Sequence, residues 1–199
     1  MNKLLIALAL ALTAAAPLRA ELAPGQPAPD FTLNDQTGAP RKLSDAKGKY
    51  VVLEWYNKDC PFVRRHYNAK NMQGLQRKYT GKGVVWYSID SAAEGREGYL
   101  TPKSAVKAMK KSGMASSALL LDPKGEVGRL YGAKTTPHMF VVDPKGNVIY
   151  MGAIDDRPST DAADLKGAHN YVAAALDAAM AGKPVTNPAT QSYGCSVKY

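Results

Sequence analysis

The chain has 199 residues, a formal net charge of +9, 45% apolar residues and two cysteines, a length that suits one domain with a sizeable core. Its basic residues are scattered among acidic ones without a long basic run, so the charge reads as a slightly basic surface rather than a nucleic-acid tract. No long repeat, low-complexity segment or domain-splitting linker interrupts it.

The first element is an address. Lys3 is the only charge before Arg19, Leu4–Leu12 is an unbroken apolar run, and small residues continue through Ala16. That is the layout of a signal peptide, and the run is too short to span a bilayer. Cleavage is expected after Ala20, with Ala16 as the alternative, and no nearby cysteine offers a lipid anchor. Residues 1–20 therefore read as a signal peptide and the protein as periplasmic or secreted, not membrane-spanning after signal removal. The other reading of the run is an uncleaved anchor. Losing Lys3 and Arg19 takes the formal charge from +9 to +7.

After an irregular lead-in at Pro24–Pro29, Phe31-Thr-Leu alternates like a short strand. Tyr50–Tyr56, β-branched and aromatic, reads as a buried central strand. It ends at Asn57-Lys58-Asp59, and a helix begins at Cys60-Pro61, where the missing N–H of proline costs nothing. Val63, Tyr67, Leu75 and Tyr79 share one face of that helix, which Gly81 and Gly83 stop. Val84–Ile89 is a second buried strand, and Thr101-Pro102 opens a helix to about Lys111. Ala118–Leu121 and Met139–Val142 are further strands. Each runs into the same tetrapeptide, Asp122-Pro-Lys-Gly or Asp143-Pro-Lys-Gly, which favours a type I turn. Val148–Gly152 completes a hairpin, Ala168–Ala181 is a helix, and residues 182–199 form a polar tail. Strands alternating with helices imply an α/β domain over residues 21–181, with a mainly parallel sheet covered on both faces and an antiparallel hairpin at one edge.

Cys60 stands where a buried strand hands over to a helix. Backbone N–H groups and the helix dipole there favour a thiolate. Arg64, one turn on, with Arg65 and His66, adds positive potential, while Asp59 opposes it. The alternative is a buried structural cysteine. Cys195 lies in a Gly- and Ser-containing tail of a kind that tends to be mobile. It has two readings. A structural disulfide to Cys60 would close a very long loop, worth about 5 kcal/mol by loop entropy. A resolving thiol would attack oxidised Cys60. Both give the same bond in the oxidised protein, and an oxidising compartment favours it.

These segments resemble the redoxin branch of the thioredoxin superfamily, between peroxiredoxins of the AhpC/TSA type and exported thioredoxin-like proteins. Gln26-Pro-Ala-Pro-Asp-Phe-Thr-Leu resembles the redoxin opening. Leu53–Pro61 resembles the strand and turn that deliver the nucleophile, and Thr135–Asp143 resembles the loop with a cis proline and its following strand. Trp55–Tyr67 and the ending Tyr193–Tyr199 look like a peroxiredoxin-like subgroup. The likeness covers roughly residues 24–181. It implies a thioredoxin-like fold, a central mixed sheet flanked by helices, and thiol chemistry at Cys60.

Two departures matter. Val63 stands where thioredoxins carry the second cysteine of Cys-x-x-Cys, so no partner thiol sits one turn away. Asn57 and Leu53 stand where typical peroxiredoxins place a threonine that helps bind peroxide and a proline. That argues for thiol–disulfide exchange over peroxide reduction. By the resemblance, Glu54 falls at the buried acid beneath the nucleophile. There it could move protons; the alternative is a solvated edge glutamate. The resemblance also makes Thr136–Pro137 a cis bond whose loop offers backbone to a substrate chain. Arg157 follows a strand that returns to the active edge. It either steadies a thiolate or anionic substrate or belongs to a surface Asp–Arg loop.

The resulting assignment is an enzyme with Cys60, Cys195, Glu54, Arg64 and Pro137 as the catalytic group and Thr136 and Arg157 toward substrate. It uses no cofactor or metal. Its partners are a disulfide or, as the antioxidant alternative, a peroxide, together with an external thiol donor. A binding reading competes with it, in which Cys60, His138 and His66 or Met139 gather a soft metal such as Cu(I), and in it His169 is only a helix-surface residue.

Overall fold

The computed structural model describes residues 21–199, and the signal peptide expected over residues 1–20 lies outside the described residues. In chain order the elements are β1 (Thr32–Asp35), β2 (Pro40–Lys42), β3 (Val51–Trp55), α1 (Pro61–Asn68), α2 (Asn71–Thr80), β4 (Val85–Asp90), α3 (Pro102–Ser112), β5 (Ala118–Leu121), α4 (Glu126–Leu130), β6 (Thr135–Thr136), β7 (His138–Val142), β8 (Val148–Gly152), α5 (Tyr171–Met180) and β9 (Cys195–Ser196). Seven strands form one sheet in the order β2-β1-β5-β4-β3-β7-β8, and β6 pairs with β9 in a separate two-stranded ladder.

Only β3, β4 and β5 run parallel. β7 returns antiparallel along β3, opposing Trp55 to His138, and β8 returns along β7. The N-terminal hairpin of β1 and β2 closes the far edge antiparallel to β5. The sheet is therefore mixed, with a parallel centre, rather than mainly parallel. β2 and α4 were not legible in the hydrophobic pattern: β2 is three exposed residues and α4 five residues opening at Gly125.

Side chains alternate across β3, so its two faces enter two cores. Val52 joins Tyr67, Met72, Tyr79, Trp86, Met139, Tyr150 and Leu176 under α1, α2 and α5. Leu53 and Trp55 join Phe31, Ile89, Leu120, Tyr131 and Phe140 on the other side. Burial on both faces explains why β3 and β4 read as continuous apolar runs.

The helix expected from Cys60 to Gly81 is broken. α1 stops at Asn68, and Lys70 takes a left-handed conformation with φ 59° before α2 begins. Gln73 holds the break: its Nε2 donates to the Tyr67 carbonyl at 2.8 Å and to the Ser112 carbonyl at 2.6 Å. Helix-end carbonyls need such outside donors. The break turns Met72, Gln73, Gln76 and Tyr79 of α2 inward and leaves Leu75 half-buried. α3 opens with a reciprocal Thr101–Ser104 capping box.

The two Asp-Pro-Lys-Gly copies both close turns, with Gly125 N–H on Asp122 O at 2.8 Å and Gly146 N–H on Asp143 O at 2.9 Å. Their continuations differ. The Asp122 carboxylate is buried and accepts from Ser91 Oγ and Gly128 N, and α4 follows. The Asp143 carboxylate accepts from Lys145 N and Asn147 N, and a hairpin follows.

The tail is packed rather than loose. Ala189 bridges to Met151, and Thr190 Oγ1 accepts the Ala153 N–H at 2.9 Å and bonds the buried Tyr150 hydroxyl at 2.6 Å. Gly152 permits this approach: its φ is +139°, and a Cβ there would lie 2.3 Å from the Thr190 carbonyl. Gly152→Ala is expected to cost about 1–3 kcal/mol through backbone strain and displacement of this stretch. Urea denaturation of parent and variant checks it, and an unchanged midpoint would mean that Thr190 seating contributes nothing.

Candidate active site

Cys60 is the N-cap of α1, with Pro61 at the first helical position as expected. It is 1% exposed. Its thiol donates to the Thr136 carbonyl at 3.0 Å. The Thr136–Pro137 bond is cis, and its loop lies against Cys60, as the resemblance implied.

Cys195 sits opposite Thr136 in the β6–β9 ladder. Both cysteines are free thiols, Cys60 buried and Cys195 half-buried, and both pack into one apolar cluster. Burial, and after it the neighbouring Cys60 group, pushes the Cys195 thiol up to about 12. A thiol that holds its proton this firmly is a poor nucleophile until the proton is removed.

Glu54 is fully buried, which excludes the solvated reading. Its carboxylate accepts from Tyr67 Oη at 2.8 Å, Trp86 Nε1 at 2.8 Å, Ser88 Oγ at 2.9 Å and Gln76 Nε2 at 3.1 Å. Desolvation raises its pKa against these four donors, which favour the anion. Gln76 is itself fixed by the Ala115 N–H on its Oε1 at 2.7 Å.

The basic residues divide differently from the sequence expectation. Arg64 is exposed. It lines a groove of about 570 Å³ between α1 and α3, with Lys58, Lys107 and Lys111, and makes no side-chain hydrogen bond to Cys60. Arg65, one residue on, is buried. Its guanidinium donates to the Arg157 carbonyl and to the Ser159 carbonyl at 2.9 Å, and lies 3.6 Å from the Asp155 carboxylate. Arg157 thus enters the site through its backbone, while its own guanidinium turns to Asp156 at 3.6 Å and is half exposed.

His66 does not supply the positive charge expected of it. Burial, reinforced by the Arg65 charge, lowers its pKa to about 3, so it is neutral. The metal ligand set is also not gathered. His138 faces away from its neighbour Met139, lies tilted against Phe140 with ring centroids 4.6 Å apart and accepts the Lys134 N–H at 3.2 Å. Among the described residues no three His, Cys, Asp or Glu side chains come together as a metal site.

Asp155 and Tyr193 were not singled out as site residues from sequence, and Arg65 was expected only to add positive potential near Cys60. Tyr193 donates to Asp155 Oδ1 and sets its ring edge-on to Phe62 at 5.8 Å. The available signal was Asp155 following a strand that returns to the edge of the sheet where Cys60 lies.

Residues 24–151 match the AhpC/TSA family. The chain belongs to that family. This AhpC/TSA chain is 33% identical over 102 residues to the thioredoxin-like protein YneN of Bacillus subtilis (strain 168), covering 51% of this chain and 55% of that protein. The matched stretch thus spans about half the length of that relative. Identity to the thiol-disulfide oxidoreductase ResA of Geobacillus kaustophilus (strain HTA426) is 29% over 121 residues, covering 55% of this chain and 69% of ResA. The AhpC/TSA fold is also similar to the crystal structure of an uncharacterized conserved protein from Geobacillus kaustophilus. That similarity has a TM-score of 0.76 and 28% identity, and it covers 89% of this chain and 93% of that one.

Asp90, the last residue of β4, is buried, and desolvation raises its pKa to about 7 against hydrogen bonds from Ala92 and Leu100 and the charge of Lys58. The folded chain then holds a proton that the unfolded chain has already lost, so stability falls as pH rises from about 4 to 7. Asp90→Asn lacks this slope. Its advantage over the parent is expected to grow by on the order of 2–4 kcal/mol across that window. Denaturant titrations at pH 4, 5.5 and 7 check it; a constant difference would mean that Asp90 ionises freely in the fold.

Proposed function

We propose that this chain is a thiol–disulfide oxidoreductase with Cys60 as nucleophile and Cys195 as resolving thiol. The observation that carries the reading is the placement of Cys195 in ladder register with Thr136, whose carbonyl accepts the Cys60 thiol. The tail delivers the second sulfur that Val63 does not. The name of the relative ResA points the same way.

In the first step the Cys60 thiolate attacks one sulfur of a substrate disulfide. A Cys60–substrate bond forms, the substrate S–S bond breaks, and one substrate thiolate leaves. Cys195, deprotonated, then attacks Cys60 and expels the second substrate thiolate. Two electrons pass to the substrate, and the chain is left with a Cys60–Cys195 disulfide. An external dithiol donor reverses the last bond by the same exchange. We assign Glu54 the proton-store role, since burial raises its pKa and Tyr67 and Gln76 hold it in place. Pro137 and Thr136 shape the docking loop, and Arg64 contributes field rather than contact.

Peroxide chemistry is disfavoured by Asn57. Its Nδ2 donates to the Glu97 carbonyl at 3.0 Å and its Oδ1 accepts the Asp59 N–H at 2.8 Å. The amide that stands in place of the peroxide-binding threonine is thus used in pinning the loop. Leu53 points into the opposite core.

We further propose that residues 1–20 are an export signal, that residues 21–181 form the redox domain and that residues 182–199 serve it as the tail carrying Cys195. Among the described residues no helix is long and apolar enough to cross a membrane.

Cys60→Ser is expected to abolish exchange. Cys195→Ser should keep the first turnover but lower steady-state turnover at least about tenfold, with a mixed disulfide accumulating on Cys60. Non-reducing mass spectrometry checks this. Two free thiols after oxidant challenge, or only interchain disulfides, would remove Cys195 from the mechanism. A second-order rate with hydrogen peroxide far above that of a free thiol at matched thiolate fraction would make the chain a peroxidase instead.

A further inference from the structure

The last eight residues are seated by a set of contacts that a loose tail does not need. Cys195 and Ser196 pair antiparallel with Thr136 and Thr135, and the Val197 N–H donates to the Lys134 carbonyl at 3.1 Å. Upstream, Tyr193 lies edge-on to Phe62 and donates to Asp155. Downstream, the Ala93 N–H donates to the Lys198 carbonyl at 2.8 Å. Tyr199 Oη donates to the Ala133 carbonyl at 2.7 Å, and the Arg129 guanidinium lies 4.5 Å from its ring centroid. Between them Gly194 has φ +129°, and a Cβ there would lie 2.1 Å from the Thr136 carbonyl. Only glycine lets the strand come this close.

The consequence is that the backbone edge of Lys134–Thr136, in the loop that touches Cys60, is already paired. A substrate strand that reaches Cys60 by adding to that edge needs the same N–H and C=O groups. Each ladder bond contributes little net free energy, because it replaces hydrogen bonds to water, so the tail is removable. Its tether nevertheless keeps it at a local concentration that a free strand must match.

We propose that the Tyr193–Val197 segment is a tethered occupant of this edge. A polypeptide disulfide reaches Cys60 only in competition with it. The segment displays the chemistry of the preferred substrate: an extended cysteine-bearing strand with an aromatic residue two places before the cysteine and no side chain immediately before it. The aromatic residue takes the place of Tyr193 against Phe62 and Asp155. The missing side chain answers the crowding between Gly194 and Thr136. This inference rests on the thiol-exchange reading for its chemistry, but its docking half can be tested without it.

The test uses the full chain carrying Cys195→Ser, with and without Tyr199→Ala, which releases the distal anchor away from Cys60. The probes are a small aromatic disulfide and a peptide of residues 190–198, linked through its Cys195 to a small chromophoric thiol. Versions of the peptide carry Tyr193→Ala or Gly194→Val. In each exchange the Cys60 thiolate takes the peptide sulfur and releases the chromophoric thiolate. The unaltered peptide is expected to react at least about tenfold faster than either altered one. Tyr199→Ala should raise the ratio of peptide to small-disulfide rate about tenfold. Peptide rates indifferent to sequence and a ratio unmoved by Tyr199→Ala, with the small disulfide reacting normally, would overturn the inference and leave thiol exchange standing. If Cys60 reacts with no disulfide, the thiol-exchange reading fails. Anisotropy of the labelled peptide with Cys195→Ser then decides docking: tighter binding to the Tyr199→Ala chain supports the occupied edge, and equal or absent binding to both chains overturns it.

Discussion

The carbonyl oxygen of Thr136 is the constraint around which the site is arranged. It accepts the Cys60 thiol at 3.0 Å, precedes the cis Pro137 bond, and leaves no room for a side chain at residue 194. The residue that carries it is paired with Cys195. A backbone oxygen in that position ties three distant stretches of chain to one point: the β3–α1 junction, the β6–β7 loop and the C-terminus. β3 and β7 hold the first two in place through the Trp55–His138 register. The third is held only by its own ladder and anchors, and it is therefore the part able to move.

Two buried ionic arrangements lie beneath this point and are handled differently. Glu54 has four neutral donors and no cation beside it, an arrangement that satisfies a carboxylate without cancelling its charge. Desolvation makes that carboxyl hold a proton more tightly than a free one does. Arg65 and Asp155 instead form a desolvated pair. Their remaining bonds run to the Arg157–Ser159 backbone and to Tyr193. Removing one member would strand the other charge in the interior. The pair thus links the helix that carries Cys60 to the tail that carries Cys195.

Local physics made the central strands readable. Val51–Trp55 and Val85–Asp90 are buried on both faces, so their apolar runs were unambiguous, and Cys60-Pro61 marked the helix start because proline is favoured where its lost donor is unneeded. The α1–α2 break was hidden because Gln73, a good helix former, caps Tyr67 from the following helix, a contact made only once both helices are packed. Likewise, two identical Asp-Pro-Lys-Gly turns lead to a helix and to a hairpin. The difference lies in whether the aspartate meets Ser91 and Gly128 or its own turn.

By itself the sequence determined the position of Cys60 at a strand-to-helix junction, the absence of a neighbouring thiol at Val63, the cis proline loop by resemblance, and the order of the main strands and helices. These depend on spacing along the chain or on short motifs. The tertiary structure decided which of two adjacent arginines is buried, that His66 is neutral, that Glu54 is fully enclosed, and that a polar tail packs beside Cys60. Each of those outcomes depends on desolvation or on a contact between residues far apart in sequence: 76 positions between Cys60 and Thr136, 92 between Arg65 and Arg157, and 127 between His66 and Tyr193. Burial and charge at such points are properties of the assembled surfaces, and no local pattern encodes them.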